Sequence, residues 1–274
     1  MTRTRFAPSP TGPLHLGHAW AAMVADDTGD MLLRIEDIDR QRSRPEWEAA
    51  IYDDLRWLGL DWPEPVMRQS DRMAAYGAAL DVLWSRGLLY PCTCNRRDIQ
   101  AAASAPQEGA PLTGPDGIVY PGTCRGASRT GPRPQGVALR LDAAVVGDLC
   151  WTERGALRTV EADAFRTGIG DVVLARRDFG TSYHLAVVVD DAAQGIDLVT
   201  RGADLEEATP IHVALQGLLG LPTPAYLHHD LVRDAEGRRL AKRDDARALA
   251  SYRAAGWSAD RLKARLRESR IAPD

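Results

Sequence analysis

The sequence predicts an α/β chain, a doubly wound domain interrupted in its middle by an irregular insertion. Three observations predict it. The first 35 residues read as strand, loop, helix and strand, which is a βαβ unit. Short apolar segments and a further helix resume after the midpoint. Between them, from Ser104 to Gly136, 13 of 33 residues are Pro or Gly, a long irregular stretch that a compact domain tolerates when it is disordered or locally clamped.

Each element follows from its residues. Thr2 to Ala7 predicts a strand and leads into a Pro/Gly loop through Gly12-Pro13. Ala19, Met23 and Val24 give a helix over Gly17 to Asp27, stopped by Thr28-Gly29-Asp30, and Met31 to Ile35 predicts the second strand. Two amphipathic helices follow, over Pro45 to Leu58 and Arg72 to Arg86, with Pro45 and Ser70 as their start signals. Apolar alternation resumes at Val137 to Leu141. Val172 to Leu174, Leu185 to Val189 and Ile196 to Val199 read as core elements. A helix over Glu206 to Leu219 closes at Gly220 and Pro222. The Tyr226 to Val232 stretch then ends in a turn at Asp234 to Gly237, a basic segment follows, and the remainder reads as helix. In such a sheet the ligand sits at the carboxyl ends of the strands, which puts the loop after the first strand at the active centre.

Composition narrows the class. The 274 residues, 45% hydrophobic and 26% charged, suit one large domain or a domain with a sizeable insertion. No run of about 18 apolar residues occurs, so no membrane span is expected. The N-terminus has no apolar stretch of signal type, and a cytoplasmic location is expected. The net charge of −4 excludes a uniformly basic coat. It is unevenly spread: Arg233 to Asp274 holds 12 Lys/Arg against 7 Asp/Glu, and the preceding 232 residues hold 22 against 31. An acidic body with a basic end can steer a phosphate-rich partner to one face. Arg125, Arg129 and Arg133 form a second basic cluster.

Two motifs carry the chemistry. The first is Ala7-Pro8-Ser9-Pro10-Thr11-Gly12-Pro13-Leu14-His15-Leu16-Gly17-His18. Two histidines three residues apart open a helix, whose N-terminus attracts phosphates. His15 and His18 add donors there, and Gly17 keeps the approach clear for a base or ribose. The second is the basic turn Arg239-Leu240-Ala241-Lys242-Arg243-Asp244, whose Lys242 can offset charge on an α-phosphate as pyrophosphate leaves. A third constellation is Cys92, Cys94 and Cys124 around the Pro/Gly stretch. Disulfides are a poor explanation in a cytoplasmic chain, and three thiolates suit a structural zinc. Asp116, Tyr120 and Cys150 are all conceivable fourth ligands.

The two motifs together resemble the class I aminoacyl-tRNA synthetases, with their HIGH-type and KMSKS-type signatures. Arg5 to Gly12, Arg34-Ile35-Glu36-Asp37-Ile38-Asp39-Arg40, Tyr183 to Asp191 and Arg201-Gly202-Ala203-Asp204-Leu205 look like the glutamyl branch. The resemblance runs from about Arg3 to Ala246. Ala241 stands where the family commonly has Ser, and His184 where glutamine often follows the tyrosine. The resemblance implies a Rossmann-type catalytic domain that binds ATP with Mg²⁺ through His15, Gly17, His18 and Lys242. It also implies a glutamate pocket lined by Arg5, Phe6, Ala7, Pro8, Ser9, Glu36, Tyr183 and Arg201. A buried substrate carboxylate needs a cation such as Arg5 or Arg201, and an α-ammonium needs an acceptor such as Glu36.

Within this branch, the group that glutamylates queuosine in tRNA(Asp) carries C-x-C with Tyr-x3-Cys, which Cys92, Cys94, Tyr120 and Cys124 match. The 32 residues after Lys242 are too few for a helical anticodon-reading region, which points to the same truncated group. The expected division is 1–89 and 176–232 as the two catalytic halves, 90–175 as an inserted zinc-bearing acceptor-binding-like subdomain, and 233–274 as the KMSKS-like loop and helical end. The expected partners are ATP, L-glutamate and queuosine-bearing tRNA(Asp), and the expected state is a monomer. Two other readings are a conventional glutamyl-tRNA synthetase without its anticodon module and a non-catalytic, zinc-stapled RNA-binding module.

Overall fold

The computed structural model describes residues 2–103, 113–232 and 248–269. In chain order its elements are β1 (Arg3–Phe6), α1 (Leu16–Thr28), β2 (Asp30–Ile35), α2 (Pro45–Trp57), β3 (Met67–Arg68), α3 (Met73–Ser85), β4 (Leu89–Cys92) and α4 (Arg96–Ala103). They continue with β5 (Ala138–Leu141), β6 (Leu149–Glu153), β7 (Ala156–Val160), α5 (Ala162–Gly168), β8 (Val173–Ala175), α6 (Tyr183–Gln194) and β9 (Leu198–Gly202). The last are α7 (Thr209–Leu219), β10 (Ala225–His229), α8 (Leu249–Ala254) and α9 (Ala259–Ser269). The residues group into two compact units, 1–71 with 196–206 and 225–274, and 72–195 with 207–224.

The first unit holds the parallel strands. β2 lies between β1 and β3, with Arg3 opposite Asp30 and Arg34 opposite Met67. β9 and β10 pair in parallel, Leu198 opposite Ala225. The start of β9 is tied to β1 at Asp197, whose N–H donates to the Arg3 carbonyl at 2.9 Å and whose carboxylate accepts from the Arg3 N–H at 2.9 Å. Helix α1 makes the crossover from β1 to β2 and buries Leu16, Ala19, Trp20, Ala22, Met23, Val24 and Ala25. So wide an apolar face packs on the sheet residues Phe6, Met31, Leu33 and Ile35, on Ile51 and Leu55 of α2, and on Leu249, Tyr252, Leu262 and Leu266 of α8 and α9. The turn between α1 and β2 requires glycine, because a Cβ on Gly29 would lie 2.3 Å from the Thr2 carbonyl oxygen.

The second unit is built differently. Its β4-β5-β8 sheet is antiparallel, so the Val137 to Leu141 and Val172 to Leu174 segments leave the parallel pattern that the doubly wound expectation implies. β6 and β7 form a hairpin over a two-residue turn. Arg154 and Gly155 both take left-handed backbone there, φ 49° and 78°, as the mirror-image turns of tight hairpins require. Leu185 to Val188 are buried as expected, within helix α6, which is capped by Ser182 and ended by Gly195 in left-handed backbone. Ser70 does not start α3. Arg72 occupies that N-cap, without a side-chain capping bond.

One carboxylate fastens α3 to α6. Asp190, fully buried, accepts from Arg72 Nε at 2.7 Å and from the Tyr76 hydroxyl at 2.7 Å. Removing one partner of such a pair leaves charge buried without compensation. Asp190→Ala is expected to cost about 3–5 kcal/mol, read as a lower denaturant midpoint at unchanged slope.

Candidate active site

The first motif is organised by its own histidines. His15 is the N-cap of α1, and its Nδ1 accepts from the Gly17 N–H at 3.1 Å. His18 reaches back, its Nδ1 accepting from the His15 N–H at 3.1 Å, so the two side chains form a reciprocal capping box. The rings lie 3.8 Å apart, centroid to centroid. Because both Nδ1 atoms accept, the ring proton of each neutral imidazole sits on Nε2. The Gly17 and His15 amides are thereby used in the cap. Gly17 has a local reason to be glycine: a Cβ there would meet His15 Cε1 at 3.0 Å and Nδ1 at 3.2 Å.

Lys242 and the whole of Arg239 to Asp244 lie outside the described residues. The chain resumes beside the first motif. Ala248 bridges His15, and the Leu249 N–H donates to the Leu14 carbonyl at 2.9 Å.

The carboxyl ends of β1, β2 and β9 carry the residues assigned to glutamate in the first unit. Arg5 is buried and donates from Nη1 to the Thr200 carbonyl at 2.8 Å. Arg201 is equally buried, donates from Nε to His228 Nε2 at 2.9 Å and lies 5.4 Å from the Tyr226 ring centroid. Two buried guanidinium groups thus project from β1 and β9. Phe6 and Pro8 are buried, Ala7 is half-buried and Ser9 is exposed. Glu36 holds the loop after β2 to the loop after β1, its N–H donating to the Pro8 carbonyl at 3.0 Å, and its carboxylate accepts from Arg34 at 3.2 Å. Asp37 accepts from the Ser70 N–H at 2.8 Å, and Asp39 pairs with Arg42. Tyr183 belongs to the second unit, opens α6 and is 36% exposed.

Sequence reasoning did not single out Arg34, which is fully buried and orients Glu36, or His228, which accepts from Arg201. An arginine inside an apolar strand and a His-His pair at a strand end are the signals that mark them.

In the second unit the cysteines converge. The Sγ atoms of Cys92, Cys94 and Cys124 all lie within 4.8 Å of one another, with Cys94 and Cys124 at 3.5 Å. The Tyr120 hydroxyl lies 3.3 Å from Cys94 Sγ and 3.5 Å from Cys92 Sγ, and accepts from the Cys124 N–H at 2.9 Å. Tetrahedral zinc with bonds of about 2.3 Å sets sulfur atoms about 3.8 Å apart, so the donor set fits that ion. The hydrogen bond from Tyr120 is the main cause that pulls the Cys124 thiol down to about 6, whereas burial pushes the Tyr120 phenol up. Cys150 is exposed on β6 and outside the group. Asp116 accepts instead from His184, whose Nε2 lies 3.2 Å from its Oδ1, and the other ring nitrogen of His184 lies 3.0 Å from His212 Nε2.

The residues of the second basic cluster are all ion-paired. Arg125 pairs with Asp171 at 2.8 Å, Arg129 with Asp142 at 2.6 Å and Arg133 with Asp81 at 2.6 Å. Each guanidinium is paired with a carboxylate.

Comparison with known proteins agrees with this arrangement. The model of the tRNA synthetases class I (E and Q) catalytic domain matches residues 1–267. The glutamyl-Q tRNA(Asp) synthetase of Rhodobacter capsulatus is 61% identical over 271 residues, covering 93% of this chain and 96% of its own length. The protein of the same name from Nitratidesulfovibrio vulgaris is 44% identical over 281 residues, covering 93% of this chain and 82% of its own. A solved glutamate tRNA ligase from Elizabethkingia meningosepticum, in complex with its amino acid, superposes with a TM-score of 0.69 at 27% identity. That match covers 89% of this chain and 52% of the ligase, so the chain spans about half the length of that solved relative. No helix among the described residues is long and apolar enough to cross a membrane. With a shared fold, a histidine-capped first helix and relatives matched nearly end to end, the chain belongs to the class I tRNA synthetases of the E and Q group and is a ligase of that family.

Proposed function

We propose that this enzyme activates L-glutamate with ATP, without prior tRNA, and transfers the glutamyl group to queuosine in the anticodon of tRNA(Asp). The observation that carries the reading is the near end-to-end match to relatives named for that activity. In the first step a glutamate α-carboxylate oxygen attacks the α-phosphorus of ATP, and pyrophosphate leaves as the glutamyl-adenylate forms. In the second step a queuosine hydroxyl attacks the activated carbonyl and AMP leaves. The acceptor proton passes to solvent or phosphate.

Each residue has a task in this reading. His15 and His18 donate from Nε2 to the phosphates, Gly17 leaves room for the nucleotide, and Lys242 offsets charge on the α-phosphate. Mg²⁺ would be held by the ATP phosphates and would supply charge neutralisation there. Arg5 and Arg201 pair with the side-chain carboxylate of glutamate, Glu36 accepts from its ammonium, and the Phe6 to Ser9 loop lines the same pocket; the family resemblance assigns Tyr183 to glutamate as well. The burial of both guanidinium groups supports this, since a desolvated cation gains most from a charged acceptor. Zinc held by Cys92, Cys94, Tyr120 and Cys124 would staple an inserted subdomain over 90–175 between catalytic halves 1–89 and 176–232, with 233–274 as the KMSKS-like signature and helical end. The metal supplies folding energy and no chemical step. The enzyme works as a cytoplasmic monomer.

Three measurements test these assignments. Elemental analysis of protein purified without added metal is expected to find one zinc per chain; a small fraction of one removes the metal from the reading. Lys242→Ala is expected to slow glutamate-dependent pyrophosphate exchange roughly 100- to 1,000-fold, the effect of one lost transition-state donor, while glutamate affinity changes little. Finally, queuosine-bearing tRNA(Asp) is expected to accept labelled glutamate even when its 3′-terminal ribose is blocked, and the unmodified transcript is not. Loss of acceptance on blocking that ribose would mark an ordinary terminal aminoacylating enzyme.

A further inference from the structure

The second unit contains a cavity of about 370 Å³ that the proposed chemistry does not use. It lies within the size range of small-molecule pockets, about 300–1,000 Å³. Its walls include Ile99, Ile118, Ile169 and Val173, and Arg140 and Tyr120 also line it.

Arg140 is the unusual member. It sits on β5 and is 92% buried, yet among the described residues it forms no ion pair. Its Nη1 donates to the Asp171 carbonyl at 2.8 Å, and its guanidinium lies 3.8 Å from the Tyr120 ring centroid. Nε is buried without an acceptor and without surface open to the cavity, so only the terminal nitrogens of the guanidinium can meet a ligand there. The nearby Asp171 carboxylate does not serve it, being taken by the Tyr90 hydroxyl, Arg125 and the Ala143 N–H. A buried cation without a counter-charge is expensive unless an acceptor reaches its terminal nitrogens. At the exposed rim, Arg96 has no ion pair among the described residues, and Asp116 offers a carboxylate of which only Oδ1 is engaged, by His184.

Apolar walls favour a flat ring over a hydrated phosphate. A guanidinium edge matches a pair of ring acceptors, and a carboxylate matches ring N–H donors. Guanine carries both sets, O6 with N7 and N1–H with N2–H, and arginine to the O6/N7 edge is its commonest specific contact. Adenine offers a donor where this cavity already has one. We propose that this cavity binds a guanine base of the acceptor RNA, with Arg140 on its acceptor edge and Asp116 on its donor edge. Bases splayed from single-stranded loops are read in this way, on an aromatic or guanidinium plane and by their edges. The inference rests on the RNA-acceptor reading above.

The test is a titration of GMP, AMP and inorganic phosphate into the full-length enzyme with its nucleotide site saturated by ATP. GMP is expected to bind at least about ten-fold more tightly than AMP. Arg140→Lys keeps the charge and loses the planar fork, and is expected to weaken GMP roughly 10- to 100-fold. Glutamate-dependent pyrophosphate exchange should be unchanged in that variant. Should Arg140→Lys fail to fold, Asp116→Asn at the exposed rim is expected to erase the preference for GMP over AMP. Equal binding of GMP and AMP, full competition by phosphate, or unchanged GMP binding in the variants overturns the proposal. Absence of exchange in the unaltered enzyme bears on glutamate activation alone, because the titration is read without it.

Discussion

Parallel pairing of β1 with β2 is the constraint on which the rest of the first unit depends. Parallel neighbours cannot be joined by a tight turn, so the chain must return to the start of the sheet through a crossover, here α1. That return places the ends of β1 and β2 at one edge of the sheet, with the ends of β9 and β10 running the same way beside them. The loops that leave this edge carry Ala7 to Gly12, Glu36 and the residues after Arg201. The hydrogen bond from Glu36 to the Pro8 carbonyl is a direct product of that convergence. The close passage of Gly29 under the Thr2 carbonyl is its steric cost at the opposite end.

The same crossover creates the site's most specialised feature. A helix that begins at the carboxyl edge presents its unsatisfied amides there, and most helices cap them with Ser, Thr or Asp. This one uses two imidazoles. The cap fixes both Nδ1 atoms as acceptors and so directs both ring protons to Nε2. Capping and donor orientation are therefore one arrangement. The pairing of Ala248 with His15 attaches the chain that follows the second signature to the first one.

The second unit solves a different problem, which is to hold a segment rich in Gly and Pro with few apolar residues of its own. It does so with buried polar hubs. Asp190 ties α3 to α6, Asp171 gathers Tyr90, Arg125 and the Ala143 amide, and the thiols of Cys92, Cys94 and Cys124 meet around the Tyr120 hydroxyl. Arg140 lies between two of these hubs and, among the described residues, pairs with neither carboxylate nor sulfur.

The sequence by itself determined the elements whose signals are local. The strand-loop-helix-strand start, the proline that opens α2, the glycine that ends α7 and the motif through His15 and His18 all depend on residues within a few positions of one another, where propensity and capping decide. The convergence of Cys92, Cys94 and Cys124 was also legible, because C-x-C restricts two ligands at once. Tertiary structure alone decided the choice of partner. Arg125, Arg129 and Arg133 read as an open basic cluster until packing supplied Asp171, Asp142 and Asp81. Asp116 was an available ligand until His184, 68 residues away, accepted it as its own partner, and Cys150 was another until β6 carried it to the surface. The hairpin of β6 and β7 escaped notice because its turn places an arginine in left-handed backbone, where Asn or Gly is the usual signal. Charges and thiols carry no address in the sequence. Which of them meet is set by long-range packing, and burial then makes each meeting obligatory, because an unpaired polar group in the interior costs more than the contact it would otherwise make.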